Sequence, residues 1–177
     1  MRQPVTAARV EEFMKALGNG VASQARIFLV GGATAVLLGW RDSTIDIDLK
    51  AIPERDELLR QFSVLKERLE INIELASPDD FIPALPGWEE RSPFVRQVGR
   101  VTFLHYDFYA QALAKIERGH DSDQQDVQEM IQSKLVNPKR LLELFSQIEG
   151  DIHKYPALDA PSFRRAVEFI VSQAGNE

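Results

Sequence analysis

The chain has 177 residues, 44% hydrophobic and 27% charged, with 21 basic against 27 acidic side chains, a net charge of −6 and no cysteine. That length suits one domain, or one domain with a helical appendage. The absence of cysteine excludes a disulfide framework, a cysteine-ligated zinc or iron–sulfur site and a thiol nucleophile, and the acidic balance argues against a general nucleic-acid coat while leaving a local basic patch open.

The opening MRQPVTAARVEEF has no apolar signal core and no apolar run approaches the length of a membrane span, so a soluble, cytoplasmic protein is expected. Thr6 is placed to cap a helix whose Val10, Phe13, Met14 and Leu17 recur at helical spacing, with Gly18 ending it and Gly18-Asn19-Gly20 forming a turn. An apolar strand, Ile27 to Val30, stops at Gly31-Gly32. A short apolar helical segment, Ala33 to Trp40, follows, and a polar turn delivers a strand carrying Asp46 and Asp48.

Side chains alternate along a strand, so Ile45, Ile47 and Leu49 point one way and Asp46 and Asp48 the other. Two adjacent carboxylates repel unless a cation or partner lies between them. The functional reading is a divalent-metal site; the alternative is a solvent-facing strand, although aspartate is disfavoured in strands.

Pro53 and Glu54 begin a helix to about Leu69, with Leu58, Phe62, Leu65 and Leu69 on one face. Ile71 to Leu75 reads as a strand with Ile71, Ile73 and Leu75 buried and Asn72 and Glu74 opposite. Glu74 gains weight as a third acid only if its strand neighbours that of Asp46. Ser77-Pro78-Asp79-Asp80 looks like a helix start, with the two aspartates structural. Pro83 to Pro93 is expected as a loop containing Trp88, and a hairpin follows, Phe94 to Val98 and Val101 to Tyr106, turning at Gly99. Helical patterns then cover Asp107 to Arg118, Asp121 to Val136, Pro138 to Ile148 and a last helix from Pro161, with Phe163, Val167, Ile170 and Val171 inward. Strands first and helices after them predict an α+β fold, a single domain over 1–177 with a sheet-containing core at 1–106 and a helical part at 107–177.

Two or three carboxylates suit magnesium, which takes oxygen ligands and shares them with substrate phosphates, as in phosphoryl or nucleotidyl transfer. Gly31-Gly32 either makes a simple tight turn or lets backbone N–H groups meet an anion. Neither G-x-x-x-x-G-K-[ST] nor G-x-G-x-x-G occurs there. Arg41 and Thr44 flank the acidic strand as phosphate ligands, or Arg41 is a surface turn residue. Farther on, Lys115, Arg118, His120, Asp123 and Asp126 cluster. Either Lys115 contacts a triphosphate with the aspartates orienting it, or the group is an interhelical salt-bridge set. His105, His120 and His153 lack ligand-like spacing, and G-x-S-x-G is absent.

With these residues in view, the chain resembles the nucleotidyltransferase superfamily with a polymerase-beta-like core. Within it, the chain is similar to the uncharacterised bacterial nucleotidyltransferases of the DUF6036 kind, relatives of toxins in abortive-infection systems. Gly31-Gly32, then Asp46-Ile47-Asp48 after a helix, carry the resemblance. ELASPDDFIPALPGWEERS and HYDFYAQALAKIERGHDSDQQDV extend it. The resemblance implies a mixed sheet with helices on it, magnesium ligated by Asp46 and Asp48, and Glu74 as the third acid. It also implies nucleotide phosphates against Gly31 and Gly32, and Lys115 and Asp126 match a basic and acidic pair in the helical part of such proteins. The donor would be an NTP and the acceptor a hydroxyl on RNA, a protein or a small molecule. The same fold also serves catalytically inactive nucleotide-binding or toxin–antitoxin partner proteins. Two positions depart from the family pattern: Gly32 stands where serine is frequent, and Glu74 where aspartate is common.

Overall fold

DIDLKAI alternates polar and apolar residues and makes a half-buried strand, whereas ARIFLV, apolar from Ile27 onward, makes a strand buried on both faces beside it, and the remaining strands flank this pair. In a computed structural model describing residues 2–175, β1 (Ala25–Val30) pairs antiparallel with β2 (Asp46–Ile52). β2 in turn pairs parallel with β3 (Asn72–Leu75). On the other side β1 pairs parallel with β5 (Val101–His105), which forms an antiparallel hairpin with β4 (Phe94–Val98). The result is a five-stranded mixed sheet in the order β3-β2-β1-β5-β4, an α+β fold with flanking helices and a helical C-terminal part.

The described residues fall into two compact units. One comprises the residues up to Ser77 with Ser92–Tyr106; the other comprises Pro78–Arg91 with the residues from Asp107 onward. In the first, α1 (Ala7–Gly20) and α3 (Asp56–Arg68) lie on the sheet face that carries Ile27, Leu29, Ile47, Leu49 and Phe103. Phe13 of α1 ties the layers together, its ring 6.5 Å from both Phe62 of α3 and Phe103 of β5. The opposite face carries Phe28 and Tyr106, edge to face at 6.2 Å, and the polar side chains of β2 and β3. α2 (Gly32–Leu38) connects β1 to β2.

In the second unit, a single 3₁₀ turn (Pro78–Asp80) and α4 (Trp88–Arg91) precede α5 (Phe108–Arg118), α6 (Asp121–Gln132), α7 (Pro138–Ile148) and α8 (Ala160–Ala174). Side chains close the helix starts. Asp107 accepts from Tyr109 N, Asn137 from Arg140 N and Asp159 from Ser162 N. Arg91 donates twice to Asp107 Oδ2, and Phe145 packs on Phe163 with ring centroids 4.9 Å apart. No helix among the described residues is long and apolar enough to cross a membrane.

Several boundaries differ from the sequence expectation for physical reasons. Thr6 caps α1 as expected, but the helix continues through Gly18 to Gly20. Gly18 is a contact residue: a Cβ there would overlap Val98 of β4, and the glycine lets helix and strand meet. α3 begins at Asp56, because Arg55 is still extended and Asp56 and Glu57 supply the acidic first turn. The helix expected from Ser77 stops after one 3₁₀ turn, since Pro83 and Pro86 remove donors that a longer helix requires. The loop around Trp88 contains the short helix α4. Ile45 lies outside the β2 ladder and is 79% exposed, and Leu75, at the end of an edge strand, is 44% exposed.

The Gly18 contact is testable. Gly18→Ala gains helix propensity but overpacks the α1–β4 junction, and a net loss of about 1–3 kcal/mol is expected by urea denaturation. Gly150→Ala, where a Cβ meets nothing within 4 Å, should stay within about 0.5 kcal/mol of the parent.

Candidate active site

Period two places Asp46 and Asp48 on one face of β2, and Asn72 and Glu74 on one face of β3. The parallel register sets Asp46 opposite Asn72 and Asp48 opposite Glu74, so the side chains of all four residues form one patch. Each of the three acids offers an oxygen, and these oxygens lie within 4.8 Å of one another. Asp46 and Asp48 are half-buried and Glu74 is exposed.

At 4.8 Å each pair of ionised carboxylates repels by about 1 kcal/mol in water and about 3–4 kcal/mol at an effective dielectric constant of about 20. One side chain opposes this. Asn72 Nδ2 donates to Asp46 Oδ1 at 2.7 Å and to Glu74 Oε1 at 2.9 Å. Hydrogen bonds to charged groups contribute about 1.5–3 kcal/mol each. The amide therefore offsets part of the repulsion among three pairs, and a dication would offset the rest. The donor set is all oxygen, with neither imidazole nor sulfur, and fits a hard divalent cation.

The glycine turn adjoins this patch. β1 ends at Val30, which is paired with Asp48, and Gly31 turns the chain into α2 at φ +60, a conformation that favours glycine. A Cβ on Gly31 would sit 3.6 Å from Asp48 Oδ2. Gly32 is buried for a different reason: a Cβ there would overlap the Thr44 side chain, which fills the space above it. Thr44 is itself fixed by two backbone bonds to Val5, of 2.7 and 2.9 Å, and its hydroxyl donates to Asp46 O at 3.3 Å. Arg41 is half-buried in the turn between α2 and β2.

Beneath the turn, buried Thr34 donates to Leu29 O at 3.2 Å and therefore accepts from His105 Nδ1 at 2.9 Å. Burial lowers the His105 pKa to about 4, so the ring is neutral at pH 7.

A family model for a nucleotidyltransferase of unknown function, DUF6036, matches residues 7–166. The chain belongs to this family. Neither the curated proteins nor the solved structures yielded a match. Membership supports a general nucleotidyltransferase reading, with a divalent metal and an NTP donor.

Lys115 lies in the second unit, buried, with its ammonium 2.7 Å from Asp126 Oδ2 and 3.7 Å from Asp123 Oδ1. Arg118 holds Asp123 through two nitrogens, at 2.8 and 2.5 Å, and Asp123 Oδ2 accepts from His120 N at the start of α6. Burial raises the Asp123 pKa, but the bond and charge of Arg118, with Lys115 and His120 N, outweigh it and leave the carboxyl below its ordinary value. The sequence-level salt-bridge set is thus formed between α5 and α6. Asn72 and the Gly32–Thr44 contact escaped the sequence reading. Asn72's place on the Glu74 face was visible from the alternation, but its contact with Asp46 depends on the inter-strand register.

Two outcomes follow. Lys115→Met removes the ammonium paired with buried Asp126 and should cost about 3–5 kcal/mol in urea denaturation, most of it recovered by adding Asp126→Leu. For His105, the unfolded ring takes up a proton near pH 6.5 that the folded ring refuses until about pH 4. Stability is therefore complete above pH 6.5 and declines toward pH 4. Denaturation at pH 7.5 and 4.5 should show about 2–3 kcal/mol more acid loss in the parent than in His105→Gln.

Proposed function

We propose that the protein is a magnesium-dependent nucleotidyltransferase that transfers a nucleoside monophosphate from an NTP to a hydroxyl acceptor. The convergence of Asp46, Asp48 and Glu74 across β2 and β3 is the observation that carries this reading. Gly31 and Gly32, next to Asp48, would receive the nucleotide phosphates at a turn with no side chain of its own, and Thr44 and Arg41 border that turn.

Asp46, Asp48 and Glu74 would hold the cation, which when bound supplies charge neutralisation at the α-phosphate and lowers the pKa of a bound hydroxyl. Glu74, exposed at the sheet edge, accepts the proton of the acceptor hydroxyl. The acceptor oxygen forms its bond to the α-phosphorus as the bond to the β,γ-pyrophosphate breaks, and pyrophosphate leaves with the electron pair. The protein's share is positioning: β2 and β3 fix the acids while the glycine turn sets the approach of the phosphates. Acceptor classes compatible with this chemistry are an RNA end, a protein hydroxyl or a small molecule, and a toxin–antitoxin setting would suit the first two.

Labelled-NTP transfer, assayed with RNA, protein and small-molecule acceptors, tests the reading. Asp46→Asn and Asp48→Asn should each lower magnesium-dependent transfer by about 10²-fold or more. Transfer that survives both changes rejects the assignment, and magnesium-dependent NTP binding without turnover identifies a nucleotide-binding protein on the same fold.

A further inference from the structure

Asn72 occupies a singular place in the acidic patch. It is the cross-strand neighbour of Asp46 on β2 and the same-face neighbour, two residues away, of Glu74 on its own strand. Its amide nitrogen carries two hydrogens, one bonded to each carboxylate. The opposite orientation of the amide would bring its oxygen against two anions, so the chemistry fixes which end points in. Each carboxylate keeps a second oxygen.

From this geometry we infer that Asn72 is a positioning residue of the acidic site. Its amide holds Asp46 and Glu74 convergent before a divalent cation arrives and remains bonded to one oxygen of each afterwards, which raises the affinity for the cation. Glu74 needs this most. It is exposed, sits on the edge strand of the sheet and has three side-chain torsions to settle. With Asn72 in place that ordering accompanies folding, and less of it remains to be supplied on binding. In a metal site, donors that orient the ligands act in this way, and their loss weakens metal affinity by about 10–100-fold. The inference rests on the metal reading above.

The test is calorimetric titration of the full chain with manganese chloride, alongside melting of the metal-free protein. Asn72→Leu, of similar size but without a donor, should weaken manganese binding by about 10–100-fold while the protein still melts cooperatively. Asn72→Ser, too short to bridge both acids, should show the same loss and serves if the leucine variant does not fold. In a Glu74→Ala background the effect of Asn72→Leu should shrink, because part of it acts through Glu74. A parent protein that binds manganese and Asn72 variants that bind it equally well, whatever their melting temperatures, overturn the positioning role and leave the metal reading intact. A parent protein that binds no manganese overturns both.

Discussion

Like charges held side by side govern the sheet-containing unit. Asp46, Asp48 and Glu74 converge because β2 and β3 run parallel in a fixed register, and slipping that register by one residue would turn Ile73 toward the acids and Glu74 toward the core. The apolar residues on the other face prevent such a slip. Ile47, Leu49 and Ile73 are all buried against a layer that includes Leu58, Phe62 and Leu65 of α3. Hydrophobic burial on one side of the strands thus holds the repulsion on the other.

The acidic patch and the glycine turn share the strand β1. Its end at Val30 is paired with Asp48, so the turn at Gly31 begins beside that carboxylate. Thr44 adds a second constraint from the other end of the loop, bonding to Val5 and lying over Gly32. Arginines of the N-terminal segment act on the edge of the same unit. Arg2 donates to the carbonyls of Lys66 and Ile71, and Arg9 to that of Leu69, so the carbonyls at the end of α3 and in the turn into β3 are satisfied by a distant stretch of chain. The position of β3, and with it Glu74, therefore depends on residues about 60 to 70 positions earlier.

Much of this arrangement is readable from local pattern. Alternation separated Asp46 and Asp48 from Ile47 and Leu49, helical spacing found the buried faces of α1, α3 and α7, and Thr6 and Pro138 marked helix starts. What the sequence withheld depends on contacts between distant segments. Gly18 looked like a helix stop, yet its role is the close approach to Val98. Glu74 was a conditional candidate because nothing local says which strand lies beside it. Asn72 looked like an ordinary polar residue of an exposed face, since its two bonds need both the register and the turn of its own amide. Lys115 carried two readings because a cation near two aspartates suits a phosphate or an ion pair equally well; the ion pairs are formed within its own unit.

The contact between Gly32 and Thr44 bears on how this site can change over time. Because the threonine side chain fills the volume where residue 32 would carry a Cβ, the two positions compete for one space. A serine at position 32 requires a smaller residue at 44, and the present threonine is compatible only with glycine. Residues 32 and 44 therefore form a single unit of variation. A substitution at one is conditional on the other, and a hydroxyl beside this turn can come from either side of the loop but not from both.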